Sequence, residues 1–135
     1  NIILLGCGTS YHAAIMGKHY LKKINLFYSV QSINASDFDI NDIPKIGSTA
    51  LIVLSQSGET KDLVGCLDIL PSNIYTIAII NSEESTIGRK CDLILNLDVG
   101  REISVASTKS FTAQIIYLQI INISKHLFFP LSFLI

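Results

Sequence analysis

Three short stretches of the chain gather hydroxyl, amide and glycine residues in a pattern that suits the binding of an anion. They are Gly6–Ser10, Ser55–Thr60 and Glu102–Lys109, and each follows an apolar run of strand length. Glycine lets the backbone approach a ligand closely, and the free N–H groups at the start of a helix attract negative charge. Serine, threonine and glutamine side chains add further hydrogen-bond donors. The sequence therefore predicts strand-end loops that can hold phosphate oxygens.

The middle stretch is the most polar of the three. Directly after the apolar run Ala50–Leu54, four polar side chains surround a glycine, and they are Ser55, Gln56, Ser57 and Thr60. An ordinary helix start needs only one such residue as its N-cap, and Ser57 is the candidate for that role. The stretch contains no Lys or Arg, which suits a ligand that exchanges rather than stays bound.

Two common nucleotide-binding patterns are absent around Gly6–Ser10. A dinucleotide-binding turn would place a third glycine where the chain has Tyr11, and an acidic residue after the second strand, where the chain has none. A P-loop would need a glycine five residues before its Gly-Lys pair, but His12 stands at that distance from Gly17-Lys18.

The third stretch opens the last predicted helix. Ser107 or Thr108 can serve as its N-cap. Lys109 then falls in the first helical turn, where its charge opposes the helix dipole. We therefore expect Lys109 to have another task, such as a salt bridge with Glu102.

The elements that position these loops alternate between strand and helix. Continuous apolar runs are typical of strands buried in a parallel sheet, and they lie at Ile2–Leu5, Phe27–Val30, Ala50–Leu54, Ile74–Ile80 and Leu93–Leu97. Helical spacing of apolar residues predicts helices at Tyr11–Ile24, Glu59–Leu70, Ser85–Lys90 and Thr108–Lys125. This alternation predicts a doubly wound α/β sheet that binds ligands at the carboxyl ends of its strands. The polar stretch Asn34–Gly47 is the least regular part.

Composition indicates one domain and argues against several classes of function. The 135 residues are 49% hydrophobic and 16% charged, which is enough apolar sequence to form a core. A net charge of −1 argues against nucleic-acid binding. Three widely spaced cysteines and three isolated histidines indicate neither a disulfide framework nor a metal site, and favour a reducing compartment. Polar residues such as Lys125 interrupt the apolar C-terminal sequence, so we predict no membrane span.

Three strings carry a resemblance that covers roughly residues 1–125. In chain order they are Cys7-Gly8-Thr9-Ser10, Ser55-Gln56-Ser57-Gly58-Glu59-Thr60 and Val105-Ala106-Ser107-Thr108-Lys109. Together they resemble the first sugar isomerase (SIS) domain of the glutamine–fructose-6-phosphate aminotransferases, also called glucosamine-6-phosphate synthases. The middle string alone would indicate only the broad phosphosugar-binding SIS superfamily. Residues 126–135 match nothing in the family, and we expect this apolar tail to lie outside the domain.

The resemblance implies both a fold and a function. The fold would be a flavodoxin-like, three-layer α/β sandwich with a five-stranded parallel sheet between helices. The family enzyme makes glucosamine 6-phosphate from fructose 6-phosphate and glutamine. By motif, the phosphate contacts fall on Ser10, Ser55, Gln56, Ser57 and Thr60. The sugar contacts fall on Thr9, the Cys7 backbone, Val105 and Ser107. We expect no catalytic residue, cofactor or metal in this chain.

The resemblance also implies partners. The family enzyme has a glutaminase domain and a second SIS domain, so we expect this chain to be a fragment of a cytoplasmic homodimer, inactive alone, with no nucleic-acid or membrane partner. Neither Cys7 nor Lys109 matches the family's nucleophile or Schiff-base lysine. Arg101 and Ser104 depart from the family pattern, and Arg101 is either a solvated charge or a change in access to the sugar. Two alternatives remain: a related sugar-phosphate isomerase or deglycase, and a non-catalytic phosphosugar-sensing regulator.

Overall fold

One parallel sheet organises the protein in the computed structural model, which describes residues 1–100 and 108–123. Its strands are β1 (Ile2–Gly6), β2 (Val30–Asn34), β3 (Ala50–Leu54), β4 (Tyr75–Ile80) and β5 (Leu93–Asn96). The helices are α1 (Thr9–Lys23), α2 (Lys61–Asp68), α3 (Thr86–Lys90) and α4 (Thr108–Ile123). The strand order is β2-β1-β3-β4-β5, and every neighbouring pair is parallel. The carboxyl ends of all five strands therefore lie at one edge.

The two central strands are buried on both faces. Every side chain in Ile2–Leu5 and Leu51–Leu54 is fully buried. Successive side chains enter opposite clusters, because residues alternate across a strand. One cluster includes Leu21 and Leu118 from α1 and α4, and the other includes residues of α2 and α3. This three-layer arrangement confirms the predicted fold class. Burial of each large apolar side chain contributes about 1.5–3 kcal/mol to the stability of the fold.

Close packing between α1 and α4 depends on small residues in α1. Ala13, Ala14 and Gly17 are buried there. A Cβ atom on Gly17 would lie 2.6 Å from Leu118 Cδ1, so the two helices approach at a distance that only glycine permits without a shift. The two helices therefore lie side by side on one face of the sheet. Both begin near the carboxyl ends of the strands.

The second strand is where the sequence prediction was wrong. It was expected at Phe27–Val30, but β2 occupies Val30–Asn34. β2 is an edge strand, and its polar Gln31 and Ser32 are only half-buried, so it lacks the continuous apolar run used to find the others. The other predicted strands and helices agree with the structure to within two residues wherever it describes them.

The polar stretch Asn34–Gly47 contains two short 3₁₀ turns, Ala35–Asp37 and Ile40–Asp42. Side chains cap both turns, since Asn34 accepts a hydrogen bond from the N–H of Ser36 and Asp39 accepts one from the N–H of Asn41. Local hydrogen bonds thus replace the helix or strand that this stretch lacks. Within the described part of the chain, no helix has both the length and the hydropathy to cross a bilayer.

Candidate functional site

The candidate site lies where the loops after β1 and β3 meet. These strands are neighbours, with Leu5 opposite Val53, but the chain passes from β1 to β2 on one side and from β3 to β4 on the other. The following helices pack on opposite faces and leave a crevice, which is the usual ligand position in an open α/β sheet. The predicted residues on its two walls are Cys7, Thr9, Ser10, Ser55, Gln56, Ser57 and Thr60. Val105 and Ser107 lie outside the described residues.

The loop after β1 turns almost directly into α1. A Cβ atom on Gly6 would lie 2.7 Å from backbone atoms of Ser10, so this tight turn requires glycine. Gly8 has a φ of 54° and occupies the position before the helix. The helix starts at Thr9, two residues earlier than predicted. Thr9 and Ser10 therefore belong to its first turn, where Thr9 is exposed and Ser10 is buried.

The Ser55 hydroxyl shapes the loop after β3 from within. Ser55 is 2% exposed, and its Oγ accepts a hydrogen bond from the N–H of Gly58 at 3.1 Å. The same Oγ lies 3.0 Å from Thr60 Oγ1, and either hydroxyl can donate in this contact. If Thr60 donates, the Ser55 hydrogen stays available to a ligand. Two residues assigned to phosphate contact by resemblance thus also hold the loop in shape.

Ser57 does not cap α2, contrary to the prediction. Its Oγ accepts a hydrogen bond from the N–H of Glu59 at 3.1 Å, within the turn before the helix. The helix begins at Lys61, and Thr60 occupies the cap position without making a side-chain capping bond. The reason is that the Thr60 hydroxyl contacts Ser55 instead.

Three α-helices have N-terminal caps that the structure describes, and the two of them that begin at the crevice, α1 and α2, have no side-chain cap. Gly8 has no side chain to cap α1, and Thr60 does not cap α2. Ser85, by contrast, caps α3, since its Oγ accepts a hydrogen bond from the N–H of Gly88 at 3.2 Å. Backbone carbonyls accept hydrogen bonds from some first-turn N–H groups of α1, but no side chain caps either helix start, and an uncapped helix start favours an anion. The crevice therefore brings two anion-attracting helix starts beside several hydroxyl groups.

Two side chains at the crevice have their full hydrogen-bonding capacity available. Among the residues that the structure describes, neither the Thr9 hydroxyl nor the Gln56 amide has a hydrogen-bond partner. Thr9 lies on the α1 wall and Gln56 on the opposite wall. Each can donate to a ligand without breaking a bond of the fold.

The loop after β4 supports the crevice, and sequence reasoning missed it. The N–H of Asn81 donates to the Gln56 carbonyl at 3.1 Å, and the N–H of Ile87 donates to the Gly58 carbonyl at 3.0 Å. Ser85 packs against Gly58, which has a φ of 70°. The sequence does contain a signal for this third loop, because polar residues also follow the fourth apolar run. They lie at the same edge of the sheet as the loops after β1 and β3.

The carboxylate of Glu59 also connects the loop after β3 to the start of α3. The N–H of Thr86 donates to Glu59 Oε1 at 2.8 Å, so the carboxylate sits at the N-terminus of α3. Hydrogen bonds from Thr86, with a smaller effect of the Arg89 charge, hold the pKa of Glu59 below its ordinary value. Glu59 therefore acts in the fold, and nothing in its position points to acid–base chemistry at the crevice.

The two loops of the crevice carry no positively charged side chain, because neither contains Lys or Arg. Burial, together with the nearby carboxylate of Asp62, raises the pKa of the Cys7 thiol, so this thiol is protonated at neutral pH and is a poor nucleophile. The expected pair between Lys109 and Glu102 lies partly outside the described residues. Within those residues, no three His, Cys, Asp or Glu side chains form a group that could hold a metal ion.

A cavity of about 610 Å³ lies at the opposite edge of the sheet, near the residues that precede β3 and β4. Its lining includes Pro44, Thr49, Pro71 and Ile74, and its one charged side chain is Lys45. It lies away from the carboxyl ends of the strands, where open α/β sheets bind their ligands, so the crevice is the stronger candidate.

Comparisons with known proteins identify the family and several similar chains. The family model described as "SIS domain" matches residues 1–123. A probable glutamine–fructose-6-phosphate aminotransferase [isomerizing] of Acanthamoeba polyphaga mimivirus is 52% identical over 119 residues, which are 87% of this chain and 20% of that protein. The enzyme of that name from Gluconobacter oxydans is 39% identical over 115 residues, which are 84% of this chain and 19% of that protein.

A solved structure shows the same architecture. The C-terminal domain of glucosamine-fructose-6-phosphate aminotransferase from Francisella tularensis superposes with a TM-score of 0.79 at 31% sequence identity. The match covers 92% of this chain and 36% of that chain. The chain thus spans about a fifth of the length of the curated relatives that it matches, and it aligns with one segment of them. On the family match and this shared fold, the chain belongs to the SIS domain family.

Proposed function

We propose that the crevice binds the phosphate group of a sugar phosphate. The observation that carries this proposal is that α1 and α2 both begin at the crevice without side-chain caps, beside hydroxyls that can donate to phosphate oxygens. Hydrogen bonds to a charged acceptor are stronger than neutral ones. The absence of Lys and Arg from both loops suits a ligand that enters and leaves during turnover.

The crevice has two ends with different roles in this proposal. The phosphate contacts are Ser10, Ser55, Gln56, Ser57 and Thr60. The sugar contacts are Thr9, the Cys7 backbone, Val105 and Ser107. Their relation to the motifs of the SIS family supports this division, as does the available donor capacity of Thr9 and Gln56 on facing walls.

We further propose that residues 1–125 serve as the sugar-phosphate-binding module of a glutamine–fructose-6-phosphate aminotransferase. The 52% identity to the mimivirus protein of that name supports this choice over an isomerase, a deglycase or a regulator. The module would bind fructose 6-phosphate or glucosamine 6-phosphate within a cytoplasmic homodimer. The glutaminase and the second SIS domain would supply ammonia and the catalytic base, so the 135-residue chain alone would be inactive.

The direct test is a calorimetric titration of the chain with fructose 6-phosphate, glucosamine 6-phosphate and unphosphorylated fructose, each to millimolar concentration. Both phosphates should bind more tightly than fructose. The double variant Gln56→Ala/Ser57→Ala should weaken phosphate-dependent binding by about tenfold or more, because it removes two donors to a charged group.

Ser72→Ala provides the matched control, since Ser72 is an exposed serine between α2 and β4 at the opposite edge of the sheet. It should bind like the wild type. Equal affinity for fructose and fructose 6-phosphate, or an unchanged affinity in the double variant, would contradict the proposed site.

A further inference from the structure

A buried glutamine of α4 makes a direct hydrogen bond to a residue at the crevice. Gln114 Nε2 donates to Ser10 Oγ at 3.0 Å. Gln114 is 1% exposed and Ser10 is 9% exposed, so the bond is shielded from water. It joins α4 to the first turn of α1 across 104 positions of sequence. The Ser10 side chain is therefore held by a residue that belongs to neither crevice loop.

Packing alone does not account for a glutamine at this position. Gln114 lies on the buried face of α4, one turn before Leu118, which packs against Gly17. Its Oε1 is buried and has no hydrogen-bond partner among the described residues. A buried acceptor without a partner costs free energy that a leucine would not incur. In the described part of the chain the amide makes one hydrogen bond, the one to Ser10, so the reason for a glutamine at this position lies in that bond.

The direction of the bond provides that explanation. A serine hydroxyl has one hydrogen to donate and two lone pairs that accept. Since Ser10 Oγ accepts from Gln114, its own hydrogen is not used in this bond, and no other bond of the hydroxyl occurs in the described part of the chain. In the reverse arrangement Ser10 would donate to Oε1, which would leave the amide NH₂ group without a partner instead and would turn the Ser10 lone pairs toward the crevice. Those lone pairs would repel an anion.

We propose that Gln114 is a positioning residue that keeps Ser10 as a hydrogen-bond donor toward the phosphate of the ligand. This inference rests on the proposed function, because it assigns a role within the proposed phosphate site. In this proposal Gln114 does not contact the ligand, but it fixes the hydrogen-bonding direction of Ser10, which does.

Two substitutions separate the polarity of the amide from its packing. Gln114→Leu removes the bond and leaves the Ser10 hydroxyl free to rotate, so the affinity for fructose 6-phosphate should fall by about fivefold. Gln114→Glu places a carboxylate acceptor against Ser10, which should capture the hydrogen and add negative charge. Its loss of affinity should be larger, about fiftyfold or more.

The discriminating experiment is a double-mutant cycle with Ser10→Ala, measured by calorimetric titration of the 135-residue chain with fructose 6-phosphate. If Gln114 acts through Ser10, then Gln114→Leu should have no further effect on affinity in the Ser10→Ala background. A merely structural role would lower the affinity by the same factor in both backgrounds. Gln119→Leu, at an exposed position of the same helix, is the matched control and should bind like the wild type.

The outcomes distinguish this inference from the proposed function. If the wild-type chain binds no sugar phosphate, the proposed function fails and this inference fails with it. If the wild type binds and Gln114→Leu binds equally well, or if the cycle is additive, the inference alone is overturned. Thermal melts of every variant show whether it is folded. Should Gln114→Glu not fold, the Gln114→Leu cycle still decides, because leucine suits the apolar helix contact.

Discussion

Gly58 lies so close to Ser85 that a side chain on the glycine would overlap the serine Oγ. Gly58 also has a φ of 70°, which side-chain-bearing residues rarely adopt. The contact locks the loop after β3 against the start of α3, where the Gly58 carbonyl accepts a hydrogen bond from Ile87. The shape of the candidate phosphate site thus depends on a residue that offers no functional group.

Gly58→Ala should lower the free energy of unfolding by roughly 2–4 kcal/mol, from backbone strain and overlap with Ser85 together. Gly65→Ala is a control that should change the free energy of unfolding in the opposite direction. Gly65 lies within α2 with open space around it, so alanine should stabilise the helix by about 0.5–1 kcal/mol. Urea denaturation of both variants measures the difference. Equal effects would show that the Gly58 turn is not under this constraint.

Ser55→Ala and Ser57→Ala should separate folding from binding. Ser55 is buried and accepts from the N–H of Gly58, so its loss should cost about 1–3 kcal/mol of stability as well as sugar-phosphate affinity. Ser57 is exposed, so its loss should change stability by less than about 0.5 kcal/mol while still weakening binding. Chemical denaturation and ligand titration on the same samples give both quantities. A large loss of stability in Ser57→Ala would contradict this division.

Glu59 should make a pH-dependent contribution to stability through its bond to Thr86. The pKa of the folded-state carboxyl lies below its ordinary value of 4.5, so the contribution is present above that value. It is lost as the pH falls through the lowered folded-state pKa. The stability difference between wild type and Glu59→Gln should therefore shrink as the solution is acidified below about pH 4.5.

Glu84→Gln provides the comparison for Glu59→Gln, since Glu84 is an exposed neighbour whose carboxylate makes no hydrogen bond in the described part of the chain. Thermal melts of both variants from pH 7 to pH 3 measure the two differences. A Glu59 effect that did not change with pH, or that matched the Glu84 effect, would mean that the charge on Glu59 does not support α3.

The thiols should be slow to alkylate in the native chain at neutral pH. Burial raises the pKa of Cys66 and of Cys91 to about 11, and burial with the Asp62 charge raises the pKa of Cys7. Because the thiolate is the reactive form, the rates should climb as the pH rises from 7 to 9, and unfolding in urea should accelerate all three.

Asp62→Asn isolates the charge effect on the thiols. Removing the Asp62 carboxylate should speed the alkylation of Cys7. The alkylation of Cys91 should not change, because burial and the Asp92 charge, and not Asp62, raise the pKa of that thiol. Mass spectrometry after timed iodoacetamide treatment measures each site. Fast labelling of Cys7 at pH 7 would contradict a protonated thiol at the crevice.

The central strands could be found from the sequence because they are buried on both faces. Ile2–Leu5 and Ala50–Leu54 must then be continuously apolar, and they appear as such. β2 was misplaced because an edge strand tolerates the polar Gln31 and Ser32. The loops could be recognised because parallel strands bring all their carboxyl ends to one edge, so residue type and position after a strand were sufficient.

The hydrogen-bonding roles inside the site depended on tertiary structure. The sequence alone determined that hydroxyls and glycines follow β1 and β3, and that the motifs resemble one family. It did not determine that Ser55 points inward or that Thr60 leaves α2 uncapped, because those bonds follow from the turn that Gly58 makes against Ser85. A hydrogen bond between residues 104 positions apart, such as that of Gln114 with Ser10, exists only once helix packing brings the two together.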